Sequence, residues 1–183
     1  MSELSELWRR CYGNLPPQGA RLRKRLPDRW LRIHSLPGSK RFAEGVDDEG
    51  ELLARANTAA SVVLGEGQPV WIIAASFELE PPGELPELAG QLLVPAITCE
   101  PDEDLETRAV FHAARVNWQD GVFDDVILAV AEDRRRVIWM NEQTGEVFAP
   151  YDGGVDLVLT HRARRDALRE QWKAWVSTRK DGM

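Results

Sequence analysis

Val70-Trp71-Ile72-Ile73-Ala74-Ala75-Ser76-Phe77 is apolar at every position but Ser76. A run this short with no polar face fits a strand buried on both sides, at the centre of a sheet. Upstream, residues 47–64 carry Leu52, Leu53, Ala56, Ala60, Val63 and Leu64 at helical spacing. Acidic groups at 47–51 suit the positive end of that helix, and Gly65 stops it. Further upstream, Trp30-Leu-Arg-Ile-His34 alternates as a strand with Leu31 and Ile33 on one face. Leu36-Pro37-Gly38-Ser39 reads as a type II turn. Ser2 caps a short N-terminal helix, 2–11, whose apolar face is Leu4, Leu7, Trp8 and Cys11. The basic stretch 20–26 has no usable periodicity.

Downstream, residues 78–91 hold three prolines and four glutamates and read as a surface loop. Leu92 to Thr98 is a strand that Pro95 moves to an edge or bulge, and Arg108 to Val116 is another. Asn117 to Gly121 turns into a helix with Phe123, Val126, Ile127 and Val130 on one face. Arg136 to Met140 and Glu146 to Ala149 flank a hairpin turn at Asn141 to Gly145. Asp152-Gly153-Gly154 leads into the strand Val155 to Leu159, and Thr160 is a suitable cap for a final helix, 160–178. Strands joined by short turns favour antiparallel pairing. The expected fold is α+β: a mixed, mainly antiparallel sheet of five to seven strands, with helices mostly on one face, in a single domain 1–183.

The 183 residues have a net charge of −7 that conceals a segregation. Residues 1–41 carry 10 Lys and Arg against 3 Asp and Glu, residues 42–133 carry 3 against 20, and residues 134–183 carry 10 against 7. The middle segment, at −17, repels nucleic-acid phosphates and suits a basic partner. Alternatively, the basic ends fold back on the acidic middle. No apolar run reaches the length of a membrane span, and the N-terminus lacks a signal-peptide pattern, so a cytoplasmic setting is expected. Oligomeric state is left open.

Motifs that carry chemistry are missing from the text of the sequence: no phosphate loop, GxGxxG, HExxH, GxSxG or CxxC. Cys11, Cys99 and three histidines show no metal-ligand spacing, so neither a metal nor a cofactor is expected, and the balance leans away from catalysis.

Four groups remain as candidate binding residues. Arg32 and His34 share the strand face opposite Leu31 and Ile33, and the following turn aims Lys40 and Arg41 outward. These suit a phosphate or carboxylate; the alternative is that Arg32, Lys40 and Arg41 pair with the acidic helix start at 47–51 and His34 is a satisfied strand histidine. Tyr151, Asp152 and Asp156 flank a Gly-Gly turn, where the carboxylates serve either as hard-cation ligands or acid and base, or as ordinary turn residues. Trp118, in a polar loop, is a candidate exposed anchor for a protein partner or a partly buried loop side chain.

Arg29 to Phe42 (RWLRIHSLPGSKRF) and Pro150 to Val158 (PYDGGVDLV) resemble two signatures of a bacterial family of uncharacterised proteins, a domain of unknown function. The resemblance implies a small bacterial protein with no activity or catalytic residues to carry over. By analogy with genes that accompany toxins, it also implies an immunity-type role. Two functions follow: a non-catalytic protein that masks a basic partner, such as a toxin, with its acidic surface; or an enzyme or small-ligand binder for an anion, using Arg32, His34, Lys40 and Arg41 with Asp152 or Asp156. The second requires residues 32–41 and 151–156 to meet.

Overall fold

Ile72 and Ile73 are adjacent in the chain and both essentially inaccessible, and they belong to two different cores, one on each face of a sheet. The computed structural model describes residues 2–77, 92–101 and 107–176. Within them the chain runs α1 (Glu3–Tyr12), α2 (Gly19–Arg25), β1 (Trp30–His34), α3 (Val46–Leu64), β2 (Pro69–Phe77), β3 (Val94–Cys99), β4 (Ala109–Asn117), α4 (Asp124–Ala131), β5 (Val137–Asn141), β6 (Val147–Tyr151), β7 (Gly154–Val158) and α5 (Arg162–Gln171). All strand pairs are antiparallel, in the order β1-β7-β6-β5-β2-β4-β3. The α+β fold and the buried central β2 agree with the sequence reading. Strand β3 lies at the sheet edge, with a bulge between Pro95 and Ile97. Proline has no N–H for a ladder, which confines it to such places.

The larger core lies between the sheet and α3, α4 and α5. Its centre is aromatic: Trp118 stacks on Phe123 at 5.4 Å between centroids and meets Trp139 edge-on at 6.2 Å. The short helices α1 and α2 cover the opposite face through Leu4, Leu7, Trp8 and Leu22. Ser2 caps α1 as its sequence position indicates, accepting the Ser5 N–H at 3.2 Å. Helix α2 occupies the basic stretch that periodicity left unassigned; Leu22 is its buried residue.

Three local expectations are corrected. The final helix is Arg162–Gln171, not 160–178 as far as the chain is described, and its cap is His161, whose Nδ1 accepts the Arg164 N–H. Thr160 is diverted because both its N–H and hydroxyl go to Glu146 Oε1, at 3.0 and 3.1 Å. Past Gln171 the chain turns so that Trp175 stacks on Trp172 and its carbonyl accepts the His34 N–H at 2.7 Å. The expected Leu36–Ser39 turn closes one residue later, with the Lys40 N–H on the Pro37 carbonyl at 3.4 Å and both central residues, Gly38 and Ser39, at positive φ (65° and 60°). The loop expected at 78–91 and most of the acidic stretch 100–106 lie outside the described residues, as do 177 and 178 of the expected helix.

No helix among the described residues is long and apolar enough to cross a membrane.

Candidate functional site

Strand β1 pairs with β7 so that Arg32 and Asp156 are direct partners across the ladder. Both side chains point to the α1–α2 face, because Leu31 and Ile33 take the other one. Asp156 is 2% exposed. Its Oδ1 accepts the Trp30 indole N–H at 2.9 Å, and its Oδ2 accepts Nη1 of Arg23, from α2, at 3.2 Å. The Arg32 Nε stands 3.5 Å from Oδ1. A buried carboxylate persists only with such compensation. Even so, burial pushes the Asp156 carboxyl above the ordinary range, against the pull of Arg23, Trp30 and Arg32.

Two rings hold the Arg32 guanidinium, whose carbon is 4.8 Å from the Tyr151 centroid and 5.9 Å from that of Trp30. Burial and the neighbouring Asp156 raise the Tyr151 hydroxyl, so it stays protonated at neutral pH. Gly154 leaves room for that phenol: a Cβ there would fall 2.5 Å from the Tyr151 oxygen and 2.6 Å from the Ile33 carbonyl.

These groups wall a cavity of about 490 Å³ that runs across the sheet face under α2. Arg23, Arg32, Tyr151 and Asp156 form one end; Ala149, Ile138 and Ala75, on the α1–α2 face, form the floor, with Val137 and Pro150 bordering it where β5 and β6 part; Asp133, Arg135 and Arg136 belong to the link before β5. The floor has a cause in the sequence. Asn141 N–H donates to the Glu146 carbonyl, and the β5–β6 ladder continues through Trp139 and Phe148 and no further. The backbone groups of alternate residues point the same way in a strand. The next rung on the β5 side therefore belongs to Pro150, opposite Val137, and proline has no N–H to give. The two strands part there, while β6 keeps its pairing with β7 as far as Tyr151. The start of α2 fits closely over the gap. A Cβ on Gly19 would lie 3.1 Å from that of Ala149 and 3.6 Å from Asp156 Oδ2.

The sequence candidates divide. Arg32, Tyr151, Asp152 and Asp156 share this cavity. Arg41 pairs with Asp152, its Nε donating at 2.7 Å. Residues 32–41 and 151–156 therefore meet, as the small-ligand reading requires. Lys40 does not join them; it pairs with Glu44 at 2.8 Å and Asp48 at 2.5 Å, beside the start of α3. His34 sits 3.4 Å from Ser39 Oγ, and burial with the charges of Arg32 and Arg55 lowers its pKa.

Trp118 is not a surface anchor. It is fully buried, and its indole N–H donates to Ser61 Oγ at 3.0 Å. The β2–β4 pairing runs one rung past Pro69 and Asn117, with Trp118 N–H on the Gln68 carbonyl, and this turns the ring inward. Sequence reasoning missed Arg23, Trp30 and Pro150. In the sequence the strand pattern ends at Ala149, one residue short of Pro150; Trp30 lies in the recognised alternation on the face of Arg32 but drew no role, and Arg23 falls in the unassigned basic stretch.

Fold and site together define an α+β protein with an arginine-walled cavity on one face of an antiparallel sheet. The chain belongs to the family DUF3885, a domain of unknown function, whose model matches residues 19–180, from α2 through α5. No curated protein and no solved structure matches it.

Proposed function

We propose that this protein binds a small anionic ligand in the cavity beside Arg32. One observation carries the reading: Arg32 and Arg23 are placed at the cavity wall by contacts with Asp156, Trp30 and Tyr151, with the cavity open beside them. Cavities of about 300–1,000 Å³ with a few fixed polar groups are the usual form of small-molecule sites. An arginine with rings against its faces loses little freedom when an anion arrives. The test is thermal unfolding with phosphate, acetate or benzoate at constant ionic strength. Stabilisation of the wild type that is lost in Arg32→Gln supports the reading, and no stabilisation by any of the three overturns it.

A second reading, a protein that masks a basic partner such as a toxin, draws support from the ion pairing of the basic N-terminal segment. Arg23, Arg32 and Arg41 turn to Asp156 and Asp152 of the C-terminal segment rather than to the acidic middle, where Lys40 meets Glu44 and Asp48. That arrangement leaves acidic groups of residues 42–133 for a basic surface. Co-purification from the native cell tests it: a basic partner whose retention falls with salt supports it, and recovery of none at low salt counts against it.

A further inference from the structure

We infer that the ligand of this cavity is a carboxylate with an apolar body, its carboxylate on Arg23 and Arg32 and its body against the floor at Ala75, Ile138 and Ala149. The inference rests on the anion-binding reading and goes on to name the ligand class.

The carboxylate end follows from what the arginines already do. The guanidiniums of Arg23 and Arg32 share the single carboxylate of Asp156, which also takes the Trp30 indole N–H, so the corner keeps a net positive charge for an incoming anion. Each guanidinium has five N–H donors in a planar fork. Asp156 engages Nη1 of Arg23 and faces Nε of Arg32, and both side chains line the cavity. Donors therefore remain for a second carboxylate, whose planar pair of oxygens matches the fork.

The apolar body follows from the sheet order. From β1 the lining crosses β7, β6, β5 and β2 in turn, as Arg32, Asp156, Ala149 with Pro150, Ile138 with Val137, and Ala75. Charge is confined to the β1–β7 end and to the link before β5. The strands between them contribute methyl and methylene groups. At about 4.8 Å between strands, roughly 10 Å separates β7 from β5, the length of a phenyl ring with a short tether. The β5–β6 ladder ends before Pro150, whose ring nitrogen has no N–H to offer β5. A bare inorganic anion would leave the floor wetted and unused, whereas an apolar body removes it from water.

The experiment is titration of the wild-type protein with acetate, benzoate and 4-phenylbutyrate by calorimetry, paired with NOE measurements from the ring protons. The expected result is that both aromatic acids bind at least tenfold tighter than acetate, with NOEs to Ile138 and Ala149 methyls. Ala75→Ser, outside the arginine corner, is expected to weaken 4-phenylbutyrate and leave acetate unchanged. If acetate and the aromatic acids bind equally, the anion site stands and the ligand class is wrong. If the aromatic acids bind without NOEs to the floor, the ligand class is likewise wrong. If none of the three carboxylates binds but phosphate stabilises the protein, the class fails while the anion site survives. If nothing binds at all, both fall.

Discussion

Arg32 and Asp156 face each other across the β1–β7 ladder, and one carboxylate collects Trp30, Arg23 and Arg32 from two further elements. Removing the carboxylate strands two arginines in a mostly buried corner. Asp156→Ala is therefore expected to cost about 3 kcal/mol in urea unfolding, near the lower end for breaking a buried pair because Arg23 is partly exposed. The double variant Arg32→Met/Asp156→Leu is expected to recover part of that loss, since an apolar pair needs no compensation. Additive losses in the double variant would show that the two residues do not interact.

The elements of this corner were legible in the sequence, but the corner was not. Alternation in Trp-Leu-Arg-Ile-His placed Arg32 on the face opposite Leu31, and the structure agrees. Periodicity is local, however, and Arg23 and Asp156 are 133 residues apart. Nothing in either segment specifies that β1 pairs with β7 in the register that joins them. Trp118 failed for a related reason. Its polar neighbours marked a loop, while its burial depends on Gln68, in the turn before β2. Lys40, in contrast, meets Asp48 as one of the two sequence readings anticipated, because both residues sit within one turn and helix start.

Glycine positions separate a steric role from a merely permissive one. Gly154→Ala would drive a methyl group into the Tyr151 hydroxyl and the Ile33 carbonyl. It is expected to destabilise by about 3 kcal/mol and to disturb the cavity wall. Gly50 lies exposed inside α3 with nothing near its missing Cβ. Gly50→Ala is expected to stabilise by about 1 kcal/mol through helix propensity and a less flexible unfolded chain. Chemical denaturation of the two variants side by side checks both signs, and a neutral Gly154→Ala would refute the tight contact.

Trp118→Ala should be among the most destabilising single changes available, at about 4 kcal/mol. The indole is fully buried against Phe123, Trp139 and Phe148. Trp118→Phe keeps most of the packing but leaves Ser61 without its donor, and should cost less, about 2 kcal/mol. Near-ultraviolet circular dichroism, which reports such ring clusters, should collapse in the first variant and persist in the second. A mild Trp118→Ala phenotype would contradict the core position.

His112 makes acid stability asymmetric. It is buried on β4, its Nδ1 has no hydrogen-bond partner among the described residues, and burial lowers its pKa below the usual 6.5. The unfolded chain therefore takes up this proton at a higher pH than the folded chain does. Stability is full above about pH 6.5 and falls as the pH drops below that value, because the unfolded state binds more protons. His34, also lowered, contributes with the same sign. Urea unfolding at about pH 7.5 and about pH 5.5 should show this loss, and His112→Gln should reduce its slope; His34 adds to the loss, while Asp156, whose carboxyl is raised in the fold, opposes it as the pH falls. An unchanged slope in His112→Gln would assign the effect elsewhere.

Pro150 is the residue through which a single backbone donor controls the cavity. The alternation of β6 places its nitrogen toward β5, opposite Val137, where the observed ladder has already stopped. Pro150→Val supplies the missing N–H without adding charge, and valine favours a strand. The strands should then zip by one further rung, at a gain of about 1 kcal/mol or less for the new hydrogen bond. The floor would narrow as they close. Hydrogen exchange should show slow exchange at the new residue-150 amide. Benzoate affinity should fall even though Arg23, Arg32 and Tyr151 are untouched. Fast exchange at residue 150, with β5 and β6 still apart, would mean that packing against Gly19 and Ala149 holds the gap open and that the proline merely tolerates it.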